Sequence, residues 1–220
     1  MVHPQVIFLD AVGTLFGIRG SVGAIYSQVA REFGVELSVP ELDQAFKTSF
    51  QDSVPPAFPG ADPTDIPGKE FSWWLAIASQ TLKRAGMLHK FPNFPEFFSV
   101  LYDHFATEDP WILYPDVYPT LHYWRSQGIE LGVISNFDSR LYSVLDALNL
   151  SPFFSSVTLS TEVGSAKPDA QIFAIALKKH HCTPEAAWHI GDSLHEDYYA
   201  AKAANLRSIW LNRSSLKSKF

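Results

Sequence analysis

The second half of the chain repeats one unit: a short unbroken apolar run, a polar residue or two, then a helical pattern. The runs fall at 131–135, 157–159, 187–190 and 208–211, and a fifth stands apart at 6–9. A strand that is apolar at every residue is covered on both faces, which is the habit of a parallel sheet flanked by helices. Helical patterns at 116–127, 139–149, 169–180 and 196–205 supply that cover. Pro168 precedes the third of these, and Asn205 ends the fourth as a left-handed cap, a role glycine more often fills. Strand and helix in alternation predict an α/β class, a Rossmann-like doubly wound parallel sheet with right-handed crossovers.

Residues 17–109 break this rhythm. Helical patterns lie at 21–33, with Val22, Ile25, Val29 and Phe33 on one face, and at 40–50, opened by Pro40. Two more lie at 70–85, ending at Gly86, and at 94–105, dense in phenylalanine. No strand is evident there, and 51–68, rich in proline with Asp52, Asp62 and Asp65, reads as a loop. Helices with apolar faces must pack on something, so the segment predicts an inserted four-helix-bundle cap. The expected division is a core of residues 1–16 and 110–220 and a cap of 17–109.

Composition narrows the function. A net charge of −6 carries no basic footprint for nucleic acid. No apolar run is long enough to span a bilayer. Cys182 is the single cysteine, so no disulfide forms within the chain. The stretch MVHPQVIFLDAV lacks the basic region and the long apolar run of a signal peptide, so the expectation is a soluble cytoplasmic protein, monomeric or a small homo-oligomer. On that expectation the sequons at Asn149 and Asn212 are chance matches, and the basic tail 213–219 frays.

The chemistry sits where strands end. Asp10 follows the first run, Ser135 and Asn136 the second, Lys167 the third, and Gly191 and Asp192 the fourth, with Asp197 further on. In open α/β sheets, ligands bind beyond the carboxyl ends of the strands. Singly, each residue has an ordinary explanation: Asp192 and Asp197 suit a helix N-terminus, and Lys167 suits a solvated loop. Four strands delivering polar groups to one rim outweigh those explanations together. The histidines at 180, 181, 189 and 195 show no paired metal spacing and read as structural or surface residues. Trp73 and Trp74 read as packing within the helical insert, as do Phe94, Phe97, Phe98 and Phe105.

Asp10-x-Val12-Gly13-Thr14, Ser135-Asn136, Lys167-Pro168-Asp169 and Gly191-Asp192-(x)4-Asp197 resemble the four motifs of the haloacid dehalogenase-like hydrolase superfamily. The helical insert resembles the cap of its phosphatase branch. SWW, VISNFD and KPDAQIF are similar to the domain-containing 3, or rhythmically expressed gene 2-like, group. The resemblance implies a phosphorylated small-molecule substrate and Mg2+, held by Asp10, the backbone carbonyl of Val12 and Asp192, a set of hard oxygen ligands. Asp197 would stand behind them, holding a metal-bound water or Lys167. Thr14, Ser135, Asn136 and Lys167 are the implied phosphate-binding set, with Thr14 also supporting the loop by hydrogen bonding. Asp10 and Lys167 are the implied catalytic pair: Asp10 attacks phosphorus to form an aspartyl phosphate while Lys167 neutralises charge.

Val12 departs from the pattern. Phosphatases of this type carry a second aspartate there, which protonates the leaving group and activates water, a contribution of roughly 10²–10⁴-fold. Three readings follow: a substrate with a good leaving group, an acid supplied by another residue, or slow turnover in a phosphate- or metal-binding pseudoenzyme. A metal-independent haloacid dehalogenase is the competing enzyme. Those enzymes also lack the second aspartate, but they carry an uncharged residue at the position of Asp192.

Overall fold

In a computed structural model that describes residues 3–213, the five apolar runs become one parallel sheet. Its spatial order is β5 (Ser156–Leu159), β4 (Glu130–Ser135), β1 (Val6–Leu9), β6 (Ala187–Gly191), β7 (Arg207–Trp210). The tail expected beyond Arg213 lies outside the described residues. The first strand is central. The chain builds outward from it to β4 and β5, then returns to its other side for β6 and β7. The carboxyl ends of β4, β1 and β6 therefore stand side by side, where such a sheet reverses direction and opens a crevice.

Alternation along β1 divides the core into two layers. Ile7 and Leu9 face Leu121 of α5 (Val117–Ser126) and Leu141 and Val144 of α6 (Arg140–Ala147). Val6 and Phe8 face Ile172 and Phe173 of α8 (Ala170–Lys179), joined by Ala200 and Ala201 of the one-turn α9 (Ala200–Ala203). Both layers are built of buried apolar side chains, as unbroken apolar strands require.

The helix expected over 196–205 is a correction. A π-helical turn, Leu194–Tyr199, precedes α9. The Ser193 carbonyl accepts from both Asp197 N and Tyr198 N, each at 3.1 Å. That widening brings Asp197 back against Gly191, where a Cβ would collide with its carboxylate. A π-turn of this kind often marks a functional site. Asn205 does adopt the left-handed conformation, φ 64°.

Between Ile18 and Trp111 the helices are α1 (Val22–Glu32), α2 (Val39–Gln51), α3 (Ile66–Arg84) and α4 (Phe94–His104). They enclose a hydrophobic cluster of their own around Phe97, Phe98, Leu42 and Leu82. Ser21 Oγ caps α1 by accepting from Ala24 N. α3 begins at Ile66, inside the stretch expected as loop, because Pro67 falls in the first turn, where no amide hydrogen is needed. Two short strands went unread in the sequence. β2 (Phe16–Ile18) pairs antiparallel with β3 (Trp111–Leu113), forming a ribbon where the chain leaves the sheet and where it returns. The ribbon straddles the expected boundary at residue 16.

Buried polar links hold the helical segment over the sheet. The Glu70 carboxylate, from α3, accepts from Ser139 N (2.9 Å) and Ser139 Oγ at the start of α6, and from Thr161 Oγ1 (2.6 Å) in α7 (Ser160–Val163). It thus caps a helix of the other layer at its positive end. Trp74 Nε1 donates to Asp138 Oδ2 at 2.6 Å, and Asp138 holds Arg140 through both oxygens. Arg140 lies over the Tyr102 ring, 3.7 Å from its centroid. Glu70→Ala leaves these donors buried and unpaired, so we expect a loss of about 2–3 kcal/mol in urea denaturation. A change below about 0.5 kcal/mol would show that the two layers are held together by apolar contacts alone.

Candidate active site

Asp10 directly follows β1, and its amide donates to Ile190 O at 3.0 Å, which ties it to the end of β6. The chain then turns sharply. The Ala11 carbonyl accepts from the amides of Thr14, Leu15 and Phe16 at 3.3, 2.8 and 3.4 Å, and none of these bonds uses the carbonyl of Val12. Gly13 carries φ +89°, and a Cβ there would run into the Asp192 carboxylate. Only glycine lets this turn press against Asp192.

Lys167 reaches the same point from the loop after α7. Its backbone is gripped by Asn136, which accepts from Lys167 N (2.7 Å) and donates to Lys167 O (2.8 Å). Its ammonium is buried, at 2 % side-chain exposure, and donates to Asp10 Oδ1 at 2.7 Å and Asp197 Oδ1 at 2.6 Å. Ser135 Oγ donates to the same Asp10 oxygen at 3.1 Å. Asp197 also accepts from His189 Nε2 (2.9 Å) and Ser193 N (3.0 Å), so both its oxygens are occupied by protein donors.

Oxygens of Asp10, Asp192 and Asp197 all lie within 4.8 Å of one another. One ammonium faces three carboxylates, and the imbalance shows in their acidities. Burial pushes Asp10 up to about 6 against the pull of Lys167, with Asp197 and Asp192 adding to the rise. Asp192 is also raised, by loss of solvent around its carboxyl group and then by Asp197, although the residue as a whole is exposed. Burial works to raise Asp197 too, but Lys167 and His189 overcome it and hold its carboxyl below the usual carboxylate range. Burial alone would discharge Lys167; Asp10 and Asp197 more than reverse that and keep it charged. His189 is lowered by burial, and as a neutral ring it donates from Nε2 to Asp197.

This donor set fits a hard divalent cation. Asp10 Oδ1 is committed to Lys167 and Ser135, which leaves Oδ2 for a ligand. The Asp192 carboxylate lies beside it, and a divalent charge would offset the excess of negative charge. Asp197, saturated by Lys167, His189 and Ser193, is placed to orient rather than to coordinate.

Asp10, Val12, Ser135, Asn136, Lys167, Asp192 and Asp197 all line one cavity of about 650 Å³. Thr14 does not. It is buried below the cleft, its hydroxyl has no hydrogen-bond partner among the described residues, and its carbonyl accepts from Arg213 Nε and Nη2 at 3.1 and 2.6 Å. Thr14 does hydrogen-bond within the loop, through its amide to Ala11 O, but its hydroxyl does not reach the cleft, against the expectation of a phosphate contact. The turn that brings Val12 to the cleft carries Thr14 away from it. Asn136 lines the cleft, but its amide is spent on the Lys167 backbone, which makes it a positioning residue in this arrangement.

Sequence reasoning missed Glu196, Arg140 and most of the aromatic lining. Trp73, Trp74, Phe98 and Phe105, read as packing, also line the cavity. The available signal was the density of aromatics in 46–111, which does not say which rings turn inward.

The raised pKa of Asp10 has a consequence for stability. The unfolded carboxyl titrates near 3.8 and the folded one near 6. Between those values the folded chain binds the extra proton, so stability falls as pH rises through that window. In metal-free protein with chelator at pH 7.5, Asp10→Asn is expected to be more stable than wild type by about 1–3 kcal/mol. The difference should vanish by pH 4, as read by urea denaturation. A less stable variant at pH 7.5 would mean that attraction to Lys167 outweighs burial.

The chain matches the profile of the haloacid dehalogenase-like hydrolases over residues 4–205. It is 34% identical over 203 residues to haloacid dehalogenase-like hydrolase domain-containing protein 3 of Bos taurus, covering 91% of this chain and 78% of that one. It is 28% identical over 219 residues to the rhythmically expressed gene 2 protein of Drosophila melanogaster, covering 96% and 84%. Among solved structures, an L-2-haloacid dehalogenase superposes with a TM-score of 0.74 at 16% identity, covering 96% of this chain and 84% of that one. A predicted phosphoglycolate phosphatase from Haemophilus somnus gives 0.67 at 17% identity, covering 96% and 86%. At such identities these two establish a common fold. With the profile and the cattle relative, the chain belongs to the haloacid dehalogenase-like hydrolases.

Proposed function

We propose that this hydrolase is a Mg2+-dependent phosphatase acting through an aspartyl phosphate on Asp10. The observation that carries the reading is the cluster of three carboxylates around one buried ammonium. Such a site is short of positive charge until a divalent ion binds, and the ion is what would let it accept an anionic phosphoryl group. Asp10, the carbonyl of Val12 and Asp192 would hold the ion, which when bound neutralises charge on the phosphoryl oxygens.

The protein's own groups do the rest. Lys167 and Ser135 hold Asp10 Oδ1 and orient the carboxylate, and the remaining N–H of Lys167 is free to donate to a phosphoryl oxygen. The Asp10 carboxylate is the nucleophile. Asp197 fixes Lys167, and His189 fixes Asp197. Asn136 holds the Lys167 backbone in register. Val12 offers no proton at its position, so protonation of the leaving group is the step left unsupported. Residues 17–109 act as a cap that excludes water from the cavity. No helix among the described residues is long and apolar enough to cross a membrane. A cytoplasmic enzyme, monomeric or a small homo-oligomer, completes the reading.

A metal-independent dehalogenase would bring the carboxylate of its haloacid to three others within 4.8 Å with no added cation between them, which counts against that reading. Acetyl phosphate, which needs no acid to leave, is the first substrate to try. Turnover should require Mg2+ and should disappear in Asp10→Asn. Val12→Asp should raise the rate on alkyl phosphates by roughly 10²-fold or more. Turnover that persists in Asp10→Asn, or that proceeds equally in chelator, would overturn the proposal.

A further inference from the structure

The cavity joins two unlike surfaces. One end holds Asp10 and its neighbours. The rest is largely aromatic and comes mainly from the helical segment. Phe46 stacks on Phe50, centroids 5.7 Å apart and planes at 24°. Phe50 stacks on Trp74 at 6.0 Å and 26°, and Trp73 meets Trp74 edge-on at 4.7 Å. All four line the cavity, as do Tyr102 and Phe105. The cations in the lining are Lys167 and Arg140, and each is already ion-paired, to Asp10 and Asp197 and to Asp138 respectively. Among the described residues, the lining holds no unpaired cation for a second anionic group on a substrate. The body that fits is flat, apolar and uncharged.

Val12 points the same way by an independent route. With no acid at that position, the leaving oxygen departs as an anion. A phenol ionises near pH 10, whereas an alkanol, like water, ionises near ~16. The aryl oxide therefore leaves with far less help. Glu196, the other carboxylate in the lining, lies 3.4 Å from Asn136 Nδ2.

Resting on the phosphatase reading, we propose that the site is built for aryl phosphate monoesters, whose ring lies against the Phe46–Phe50–Trp74 wall. The Asp10 carboxylate forms its bond to phosphorus as the phosphorus–aryl oxygen bond breaks. The electron pair leaves with the aryl oxide, which takes its proton from solvent. Water then attacks phosphorus, loses a proton to solvent, releases inorganic phosphate and restores the Asp10 carboxylate.

The test compares 2-naphthyl, phenyl and n-hexyl phosphates with acetyl phosphate, all with Mg2+. The expected order of kcat/KM is naphthyl over phenyl by about tenfold and over hexyl by at least 100-fold. Phe50 is 43% exposed, so Phe50→Ala should fold. It should lower the ratio of naphthyl to acetyl turnover by about tenfold. Val12→Asp should narrow the gap between naphthyl and hexyl by raising hexyl. Hexyl phosphate turned over as well as naphthyl, or a ratio unmoved by Phe50→Ala, overturns the proposal. If acetyl phosphate is hydrolysed through Asp10 with no aryl preference, the aryl assignment falls and the phosphatase reading stands. If no phosphate is hydrolysed, both fall.

Discussion

Lys167 is the pivot of the site. Its ammonium is buried between Asp10 and Asp197, a position that is costly for any charge without partners. The two carboxylates make it tolerable, and in return it keeps Asp197 ionised. Each of the three is fixed from a different part of the sheet: Asp10 by the end of β1, Asp197 by the wide turn after β6, and Lys167 by Asn136 at the end of β4. Removing Lys167 would leave two buried carboxylates without their counter-charge. What the triad lacks is enough positive charge. Asp192 beside Asp10 makes that shortage worse, and this is why the arrangement suits a divalent cation.

The helical segment supplies what the sheet does not. A parallel sheet exposes only its rim to a ligand, and a rim alone excludes little water. Helices α1–α4 place aromatic rings over the rim and so enclose a cavity of about 650 Å³. Their placement depends on a few buried polar links: Glu70 capping α6, and Asp138 joining Trp74 to Arg140. Such links are directional, so they set position as well as energy. Trp74 belongs both to the cavity wall and to the link, so the wall's geometry is tied to the core.

Much of this was legible in the sequence, for a physical reason. A strand covered on both faces must be apolar throughout, and it ends where a polar residue appears. The run at 6–9 thus announced both β1 and Asp10. The same held for Ser135 after β4 and Asp192 after β6. The β2–β3 ribbon was illegible because three-residue strands carry no periodicity. The π-turn was illegible because its spacing resembles an α-helix until the Ser193 carbonyl takes two amides. Thr14 was misplaced because proximity to Asp10 in sequence does not say which way a tight turn carries the next side chain.

By itself the sequence determined the sheet and the order of its polar strand ends, because these follow from local composition along single strands; that Val12 stands where an acid is usual came from the resemblance alone. Only the tertiary structure decided that Lys167 is shared by Asp10 and Asp197. It alone turned Asn136 toward the Lys167 backbone, and it alone set Phe46, Phe50 and Trp74 against one cavity. Those contacts join residues far apart in the chain, and which face of an aromatic-rich helix turns inward is set by the packing it meets, not by the helix.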